Sequence, residues 1–365
     1  MMFGDAYRGR RVLVTGDTGF KGAWLCRWLT RLGAEVVGAA LPPDTNPSLF
    51  EALKLGDSIT HHDVDIRDAD AVAALVAHAR PDLVIHLAAQ PLVRRSYRAP
   101  VETFATNVMG TAHLLEAVRH CPSVLATLVV TTDKVYENRG WLWPYRENDT
   151  LGGHDPYSAS KAAAELVVSS YRRSFFGTGG PVVVARAGNV IGGGDWAEDR
   201  IIPDIVRAII ATKPVELRNP RAVRPWQHVL DALSGYLQLL SLASSSPSVG
   251  HDAFNFGPDD ATPVDVGALV RRFCVVMGRG SVVEKPDPSA PHEAQELRLD
   301  STLARRHLGW RPAWSTDDAI TRTAAWYRCC VDDGAAAAAA LLDEQIDDYA
   351  AAAAALDVPW AKGMM

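Results

Sequence analysis

Short apolar runs alternate with segments of helical periodicity along the first half of the chain. Strands rich in valine, leucine and isoleucine are predicted at 11–15, 35–40, 83–87, 125–131 and 182–186. Between them, segments such as 23–32 and 101–120 place apolar residues at helical spacing. Strands that alternate with helices in this way predict an α/β fold with a right-handed, doubly wound parallel (Rossmann) sheet.

The first predicted strand runs into a glycine-rich turn that opens a helix. Gly16 permits the tight turn, Gly19 lets the backbone approach a pyrophosphate, and Gly22 lets the helix lie close to the strand. In this context the pattern favours a dinucleotide site over a merely structural turn. The cofactor contacts predicted at the turn are Gly16, Thr18, Gly19, Phe20, Lys21 and Gly22.

The ends of the following strands complete the predicted cofactor site with Asp65, Ile66, Ala88 and Ala89. Asp65 could accept a hydrogen bond from the adenine amino group, and its alternative role is that of a turn acid. The second strand lacks the acid that usually holds the ribose 2′-hydroxyl, because residues 38–41 are Gly-Ala-Ala-Leu. Since Lys21 could tolerate a 2′-phosphate, this strand leaves the choice between NAD and NADP open.

The regular alternation stops after the strand predicted at 182–186. Helices are predicted at 202–212, 229–243, 264–276 and 316–327, with a short strand end at 254–257. We predict a dinucleotide-binding domain at 1–188 with about 228–255, and a smaller mixed α/β substrate domain at 189–227 and 256–365. The alanine-rich tail from residue 335 is predicted to be helical and carries no functional motif.

Composition narrows the class of protein. The chain is 48% hydrophobic and 22% charged, with a net charge of −6 and a pI near 6.0, which argues against a general nucleic-acid binder. A secretory signal and a long apolar span are both missing, so no membrane association is predicted. The five cysteines match neither a zinc spacing nor a disulfide framework. These features predict a cytoplasmic protein without a metal site.

The segment 155–161 predicts the chemical centre. Asp155 can cap a helix whose first residue is Pro156, and an alanine-rich run continues it. Tyr157 and Lys161 then share one helix face, where the ammonium can lower the pKa of the phenol. A tyrosine tuned in this way can take a proton from a sugar hydroxyl while hydride leaves the same carbon. By itself, the Tyr-x-x-x-Lys spacing is weak evidence.

A basic segment in the second half predicts a phosphate site. Arg218, Arg221 and Arg224 lie close together in a slightly acidic chain. Guanidinium groups bind phosphate oxygens two at a time, so these residues predict a diphosphate clamp. The alternative is a solvated basic turn.

Several motifs agree in order and spacing with a known family. The chain resembles the extended short-chain dehydrogenase/reductase superfamily, and within it the CDP-glucose 4,6-dehydratases, at 15–22, 89–94, 132–138, 152–158, 186–196 and 224–229. The resemblance reaches about residue 330. Dehydratases for other bases usually carry Asp-Glu after the catalytic threonine, whereas this chain has Asp133-Lys134. Asp17, where the family leads us to expect His, and the alanine-rich tail are departures from the pattern.

The resemblance implies an activity and roles for individual residues. It implies NAD-dependent conversion of CDP-D-glucose to CDP-4-keto-6-deoxy-D-glucose, a step toward deoxysugars. Tyr157 would take the O4 proton while Thr132 hydrogen-bonds O4, and Lys161 would hold the phenolate and the cofactor ribose. Asp133 would be the acid for the C6 hydroxyl, and Lys134 the base or cation beside C5. The predicted substrate contacts are Gln90, Arg94, Asn189, Arg218, Arg224 and His228.

The sequence also allows two other functions and predicts how copies of the chain assemble. A sugar-nucleotide 4-epimerase would share Thr132, Tyr157 and Lys161 but would have no use for the Asp133-Lys134 pair. A dinucleotide-sensing regulatory protein would typically lose the tyrosine and lysine, which this chain keeps. The helices that begin near Val101 and Tyr157 carry small or apolar faces. Together with the resemblance, these faces predict a homodimer.

Overall fold

The computed structural model describes residues 2–177, 181–246, 249–259, 264–285 and 297–363. In chain order the described strands are β1 (Arg11–Thr15), β2 (Glu35–Ala40), β3 (Thr60–Asp63), β4 (Leu83–His86), β5 (Ala126–Val130), β6 (Val182–Ala187), β7 (Val190–Ile191), β8 (Val215–Leu217), β9 (Gln227–His228), β10 (Ala253–Phe256) and β11 (Val282–Glu284). Seven of them form one sheet in the order β10-β6-β5-β4-β1-β2-β3. All neighbours in it are parallel, so the predicted doubly wound sheet is confirmed.

Helices cover the sheet and build the rest of the chain. They are α1 (Phe20–Arg31), α2 (Leu49–Ala52), α3 (Ala69–Ala79), α4 (Val93–Arg98), α5 (Pro100–Phe104), α6 (Gly110–Arg119), α7 (Pro156–Tyr171), α8 (Ile201–Ile210), α9 (Val229–Ser245), α10 (Val266–Met277), α11 (Thr316–Asp332), α12 (Ala335–Ala355) and α13 (Pro359–Lys362). None of the helices in the described ranges is both long and apolar enough to cross a lipid bilayer.

The strands are buried on both faces, which explains their continuous apolar runs. Along β1, Val12 and Val14 pack into the core shared with α1 and α9, while Leu13 between them packs into the core shared with α3 and α6. Both layers of helices therefore depend on the alternation of side chains along the same strands. The carboxyl ends of the strands all meet at one edge, where ligands of such sheets bind.

The helix predicted at 101–120 is interrupted. It consists of α5, a π-helical turn (Ala105–Met109) and α6. Asn107 lies in this turn, and its side-chain amide donates to the Gln90 carbonyl at 3.1 Å and to Ser160 Oγ at 2.8 Å. The wider turn thus carries a side chain that joins the end of β4 to α7, which periodicity alone does not reveal.

The second half of the chain leaves the main sheet and returns to it. Two small parallel pairs, β7 with β9 and β8 with β11, stand outside the main sheet. The helix α9 then packs on the sheet, and β10 becomes its seventh strand. The segment of about 228–255 therefore contributes one helix and one strand that pack with the main sheet.

The alanine-rich tail packs differently from our expectation. Its helix α12 is tied to α1, because the Arg27 guanidinium lies 2.5 Å from the Asp343 carboxylate and Arg31 lies 3.3 Å from the same group. Rings of α12 and α13 also contact α1: Trp28 lies edge-on to Tyr349 at 6.0 Å and to Trp360 at 5.8 Å. The tail, which the sequence places with the predicted substrate domain, therefore packs against α1.

Candidate active site

The turn between β1 and α1 has the shape that a pyrophosphate requires. Gly16 has a φ of +81°, and a Cβ on it would lie 2.7 Å from the Ala88 backbone nitrogen. A Cβ on Gly22 would collide with the Gly16 carbonyl oxygen. Gly19 precedes the first helical residue, and no side chain in the described ranges caps the helix there. The free amides of the first turn are thus available to an anion, so the residues present fit a bound dinucleotide.

Lys21 lies among the predicted catalytic side chains. Burial, followed by the charges of Arg200 and Lys161, lowers the pKa of Lys21 to about 7. Its Nζ atom lies 6.0 Å from the centroid of the Tyr236 ring. These neighbours place Lys21 beside the predicted catalytic residues, which argues against its predicted tolerance of a 2′-phosphate.

Asp17 brings an acid beneath β2. The strand itself lacks one, but the fully buried Asp17 carboxylate lies under Gly38, 2.7 Å from His61 Nδ1 on β3. Burial raises the pKa of Asp17, and the hydrogen bond with His61 opposes that effect. Thr18 also joins the turn to this strand, since its hydroxyl donates to the Leu41 carbonyl at 2.9 Å. An acid from the glycine turn therefore lies where the strand pattern showed none.

Of the other predicted cofactor residues, Asp65 and Ile66 contact neighbouring protein groups, whereas Ala88 and Ala89 border the glycine turn. The Asp65 carboxylate accepts from the Arg67 backbone amide and guanidinium at 2.9 Å, which is the arrangement of a turn acid. Ile66 buries its side chain in the core between α3 and α6, against Gly110. Ala88 and Ala89 follow β4 with half-buried side chains, and Ala88 directly adjoins the glycine turn. Because their side chains are small, Ala88 and Ala89 leave room for a cofactor beside the glycine turn.

The helix that carries the central tyrosine begins as the sequence predicts. The Asp155 carboxylate accepts from the Ser158 amide at 2.9 Å, and Pro156 is the first helical residue. Tyr157 in the first turn and Lys161 one turn later are both buried, 8% and 7% exposed. The local signals in 155–161 were therefore sufficient to place these two side chains on one helix face.

The electrostatics of Tyr157 differ from our expectation. Burial raises the pKa of the phenol to about 12, and the influences that lower it are the hydrogen bond with Thr132 and the charge of Arg200. The four-residue spacing predicts that Lys161 acts on Tyr157 directly. Instead its ammonium donates to the Val130 carbonyl at 3.2 Å, and burial lowers the pKa of Lys161 to about 8. The two side chains share a face, but each is held by the end of β5.

The end of β5 brings the remaining predicted catalytic residues together. A 3₁₀ turn (Asp133–Val135) follows Thr132, whose hydroxyl donates to Asp133 Oδ1 at 2.9 Å. The Lys134 ammonium donates to the same oxygen at 3.3 Å. Asp133 is fully buried, and its second oxygen, Oδ2, has no hydrogen-bond partner within the described ranges. An unpartnered buried carboxylate oxygen is costly, so this atom fits a role toward a substrate hydroxyl.

Arg218 of the predicted phosphate clamp and the predicted substrate contact Arg94 meet at one carboxylate. Arg94 Nη1 lies 3.4 Å from Asp199 Oδ1, and Arg218 Nη2 lies 4.0 Å from the same atom. Residues 94 and 218 are far apart in the sequence, so the tertiary structure supplies this pairing. Arg224 is half-buried, and its guanidinium donates to the Val223 carbonyl at 2.9 Å.

The structure argues against two of the predicted substrate contacts. His228 is fully buried beside Trp24 and Trp314, and its Nδ1 accepts from the Leu230 amide at the start of α9. Burial lowers the pKa of His228 to about 3, so the ring is a neutral core residue. Gln90 is also buried and internally bonded, because its side chain donates to Thr103 Oγ1 at 2.9 Å and accepts from the Leu92 amide at 2.7 Å.

Two further polar residues belong to the description of this site, and one of them was not predicted. Asn189, a predicted substrate contact, is half-buried, and its side-chain oxygen has no partner among the described residues. Arg200 was missed, although its charge acts on both Tyr157 and Lys21. It is held by Asp195 at 2.9 Å, at the entrance to α8. It falls where the sequence periodicity stops, and no spacing relates it to the tyrosine helix.

The parallel sheet, the glycine turn and the Tyr157–Lys161 helix define the extended short-chain dehydrogenase/reductase class. The chain belongs to the GDP-mannose 4,6 dehydratase family, whose model matches residues 13–323. The structure describes no group of three or more side chains suited to a metal ion.

One sequence relative and two solved structures resemble this chain over most of its length. The CDP-glucose 4,6-dehydratase of Salmonella typhimurium is 46% identical over 328 residues, which cover 88% of this chain and 91% of that protein. The UDP-glucose 4-epimerase of Stenotrophomonas maltophila, solved with bound NAD, has a TM-score of 0.78 at 23% identity and matches 89% of this chain and 99% of that one. The dTDP-glucose 4,6-dehydratase of Bacillus anthracis, also solved with NAD, has a TM-score of 0.74 at 21% identity, with coverages of 87% and 96%. These two structures share the fold.

Proposed function

We propose that this chain is an NAD-dependent CDP-glucose 4,6-dehydratase, which converts CDP-D-glucose to CDP-4-keto-6-deoxy-D-glucose. The observation that carries the proposal is the pair formed by Asp133 and Lys134, 3.3 Å apart on the turn whose Thr132 is hydrogen-bonded to Tyr157. An acid and a cation beside a redox tyrosine serve a reaction that includes both oxidation and elimination. The relative from Salmonella typhimurium, named for this activity, supports the choice of substrate.

The first step is removal of the O4 proton. When bound, NAD would accept the C4 hydrogen as hydride and later return it to C6. Tyr157 takes the proton from O4, and Thr132 holds the phenol through its hydrogen bond. The charge of Arg200 and the hydrogen bond with Thr132 favour the phenolate, while Lys161 is held at the end of β5 by the Val130 carbonyl. The resulting ketone at C4 makes the C5 hydrogen acidic.

The second step is the loss of water across C5 and C6. Lys134 removes the C5 proton as a neutral amine or stabilises the enolate as a cation, while Asp133 gives a proton to the departing C6 hydroxyl. The C5–H and C6–O bonds break and a C5–C6 double bond forms. Hydride addition at C6 and protonation at C5 then complete the product. A 4-epimerase would need neither Asp133 nor Lys134.

Two further features support NAD and a nucleoside diphosphate. The buried Asp17 carboxylate beneath β2 disfavours a 2′-phosphate at that strand, which is the distinguishing group of NADP. We assign the substrate diphosphate to Arg94, Arg218 and Arg224, because guanidinium groups bind phosphate oxygens in pairs. Asp199, which lies between Arg94 and Arg218, keeps their charges together.

The proposal includes a homodimer in the cytoplasm. Apolar side chains project into solvent from the helices α5 to α7 and the turns beside them: Val101, Phe104, Met109, Leu166 and Phe175. Val101 is 80% exposed and Leu166 is 63% exposed, so these helices present an apolar surface suited to a second copy.

All five cysteines are free, which suits a reducing compartment. Sedimentation at micromolar concentration should give a dimer, and a monomer alone would contradict this assembly.

The test of the function is a substrate panel. The protein is incubated with NAD and CDP-glucose, or with the UDP, dTDP and GDP sugars, and the ultraviolet chromophore of a 4-keto sugar is measured in alkali. We expect product from CDP-glucose well above that from the other sugars. Interconversion of glucose and galactose without a keto product would support the epimerase instead.

A further inference from the structure

Glu165 continues the face of α7 that carries Tyr157 and Lys161. The three residues follow one another at intervals of four, so Glu165 lies one turn beyond the lysine. Its side chain is 4% exposed, and so is that of Arg186 on β6. Arg186 Nε lies 2.9 and 3.0 Å from the two carboxylate oxygens, and Nη2 makes a further bond. This buried ion pair joins α7 firmly to the sheet.

The acidic partner of the pair binds the residue that precedes the catalytic turn. Thr131 Oγ1 donates to Glu165 Oε1 at 2.5 Å. Thr131 is buried and directly precedes Thr132. The position of the chain at the entrance to the turn is therefore set by a side chain of the tyrosine helix.

The basic partner binds the residue that follows the same turn. Arg186 Nη1 donates to the Tyr136 hydroxyl at 2.8 Å, and the guanidinium carbon lies 5.0 Å from the centroid of the Tyr136 ring. The Tyr136 hydroxyl in turn donates to Asn255 Oδ1 at 2.7 Å. Tyr136 comes two residues after Lys134. Both ends of the segment 132–134 are thus attached to one ion pair.

We propose that Glu165 and Arg186 form a positioning unit that holds Thr132, Asp133 and Lys134 in register with Tyr157 and Lys161. The turn and the helix belong to different parts of the chain, and the ion pair connects them from beneath. A misplacement of about 1 Å in such a site costs on the order of 10²-fold in rate. The carboxylate of Glu165 also opposes the lowering of the Lys161 pKa by burial. The inference rests on the proposed dehydratase function.

The principal test is Glu165→Gln. Glutamine keeps the shape and an oxygen that can accept from Thr131, but it removes the charge that binds Arg186. We expect kcat with CDP-glucose to fall at least about tenfold while KM and the Kd of CDP stay within about threefold, because the residue positions reacting groups and touches no substrate. The measurement is made at a temperature at which circular dichroism shows the variant folded. A merely structural role would lower Tm and leave kcat unchanged.

Two milder variants test the two attachments separately. Thr131→Val and Tyr136→Phe each remove one hydroxyl and leave the ion pair in place. We expect each to lower kcat about threefold or more with KM little changed, since each frees one end of the turn. These variants also decide the matter if Glu165→Gln does not fold. Asp252→Asn is the matched control, because it removes the ion pair to buried Arg172 beyond α7 and should keep the wild-type kcat.

The outcomes separate this inference from the proposed function. Wild-type kcat in Thr131→Val and Tyr136→Phe, or a loss that appears in KM alone, would overturn the positioning role. If wild-type protein forms no 4-keto sugar from CDP-glucose, the proposed function fails and this inference fails with it. Wild-type turnover together with unaffected variants refutes the inference alone.

Discussion

The Lys134 ammonium lies 3.3 Å from the carboxylate of Asp133, yet the two side chains face different environments. The Asp133 side chain is fully buried, whereas 29% of the Lys134 side chain is exposed. The buried carboxyl of Asp133 is shielded from water and can face only a bound substrate, whereas the amine of Lys134 also reaches solvent. The pair therefore suits two distinct parts of an elimination, and variants of the two residues should fail differently.

Lys134→Met should oxidise C4 but stall before water is lost. Without the amine, no group removes the C5 proton or stabilises the enolate of the 4-keto sugar. Product formation should therefore fall on the order of 10²-fold or more. Rapid mixing with CDP-glucose and NAD should show reduced nicotinamide that persists near 340 nm. Lys285→Met, which alters an exposed lysine paired with Glu216, serves as the control. Normal dehydration by Lys134→Met would refute its assignment.

Asp133→Asn should block loss of the C6 hydroxyl, which follows removal of the C5 proton. The amide cannot protonate the departing C6 hydroxyl, but Lys134 remains to act at C5. We expect exchange of the C5 hydrogen with deuterated water, together with a loss of product on the order of 10²-fold or more. Mass spectrometry of recovered substrate measures the exchange. Should dehydration proceed at the wild-type rate, Glu137 becomes the next carboxylate to test.

Tyr157→Phe should stop the reaction before the cofactor is reduced. The variant keeps the ring but lacks the hydroxyl that binds Thr132, so no group takes the O4 proton. The expected loss is about 10²- to 10⁴-fold, without a burst at 340 nm. Activity within about tenfold of wild type is incompatible with an acid–base role of this size.

Arg218→Ala should weaken binding more than turnover. A diphosphate clamp remote from the hexose contributes equally to the ground state and the transition state, so KM should rise while kcat holds. The loss expected for one charge-assisted contact is about 1.5 to 3 kcal/mol. Arg279→Ala is the control, since it removes an exposed arginine paired with Asp332. An unchanged KM would move the clamp to Arg94 and Arg224.

Asp231 should make the protein less stable as the pH rises. Its carboxylate accepts from the Tyr349 hydroxyl and the Ala313 amide at 2.8 Å, and burial raises its pKa to about 7. The unfolded value is about 3.9, so between about pH 4 and 7 the folded state holds a proton that the unfolded state has lost. The contribution of this group to stability is therefore fully present below about pH 4 and is lost as the pH rises to about 7.

Asp231→Asn should remove this dependence. The amide does not titrate, and its oxygen can still accept from Tyr349. Thermal unfolding should show a flatter Tm across the same pH range and a Tm at pH 8 a few degrees above wild type. Asp70→Asn, at an exposed acid in the first turn of α3, should retain the wild-type slope. An unchanged slope in Asp231→Asn would show that other groups cause it.

The sequence by itself determined the parts of this protein that depend on near neighbours in the chain. The apolar runs of the strands, the glycine turn at 16–22 and the cap at Asp155 each specify local structure from residues a few positions apart. The shared face of Tyr157 and Lys161 follows from helical geometry alone. The ordered alternation of strands and helices then allowed few folds other than a parallel sheet.

Only the tertiary structure decided which distant side chains meet. Asp17 lies beneath β2 and beside His61 because β1, β2 and β3 are neighbours in the sheet. Arg94 and Arg218 converge on Asp199, and His228 lies in the core, through packing that no spacing in the chain encodes. The pKa values of Tyr157 and Lys161 likewise follow burial more than their separation of four residues. Burial is a property of the whole fold, since it depends on every element packed around a group.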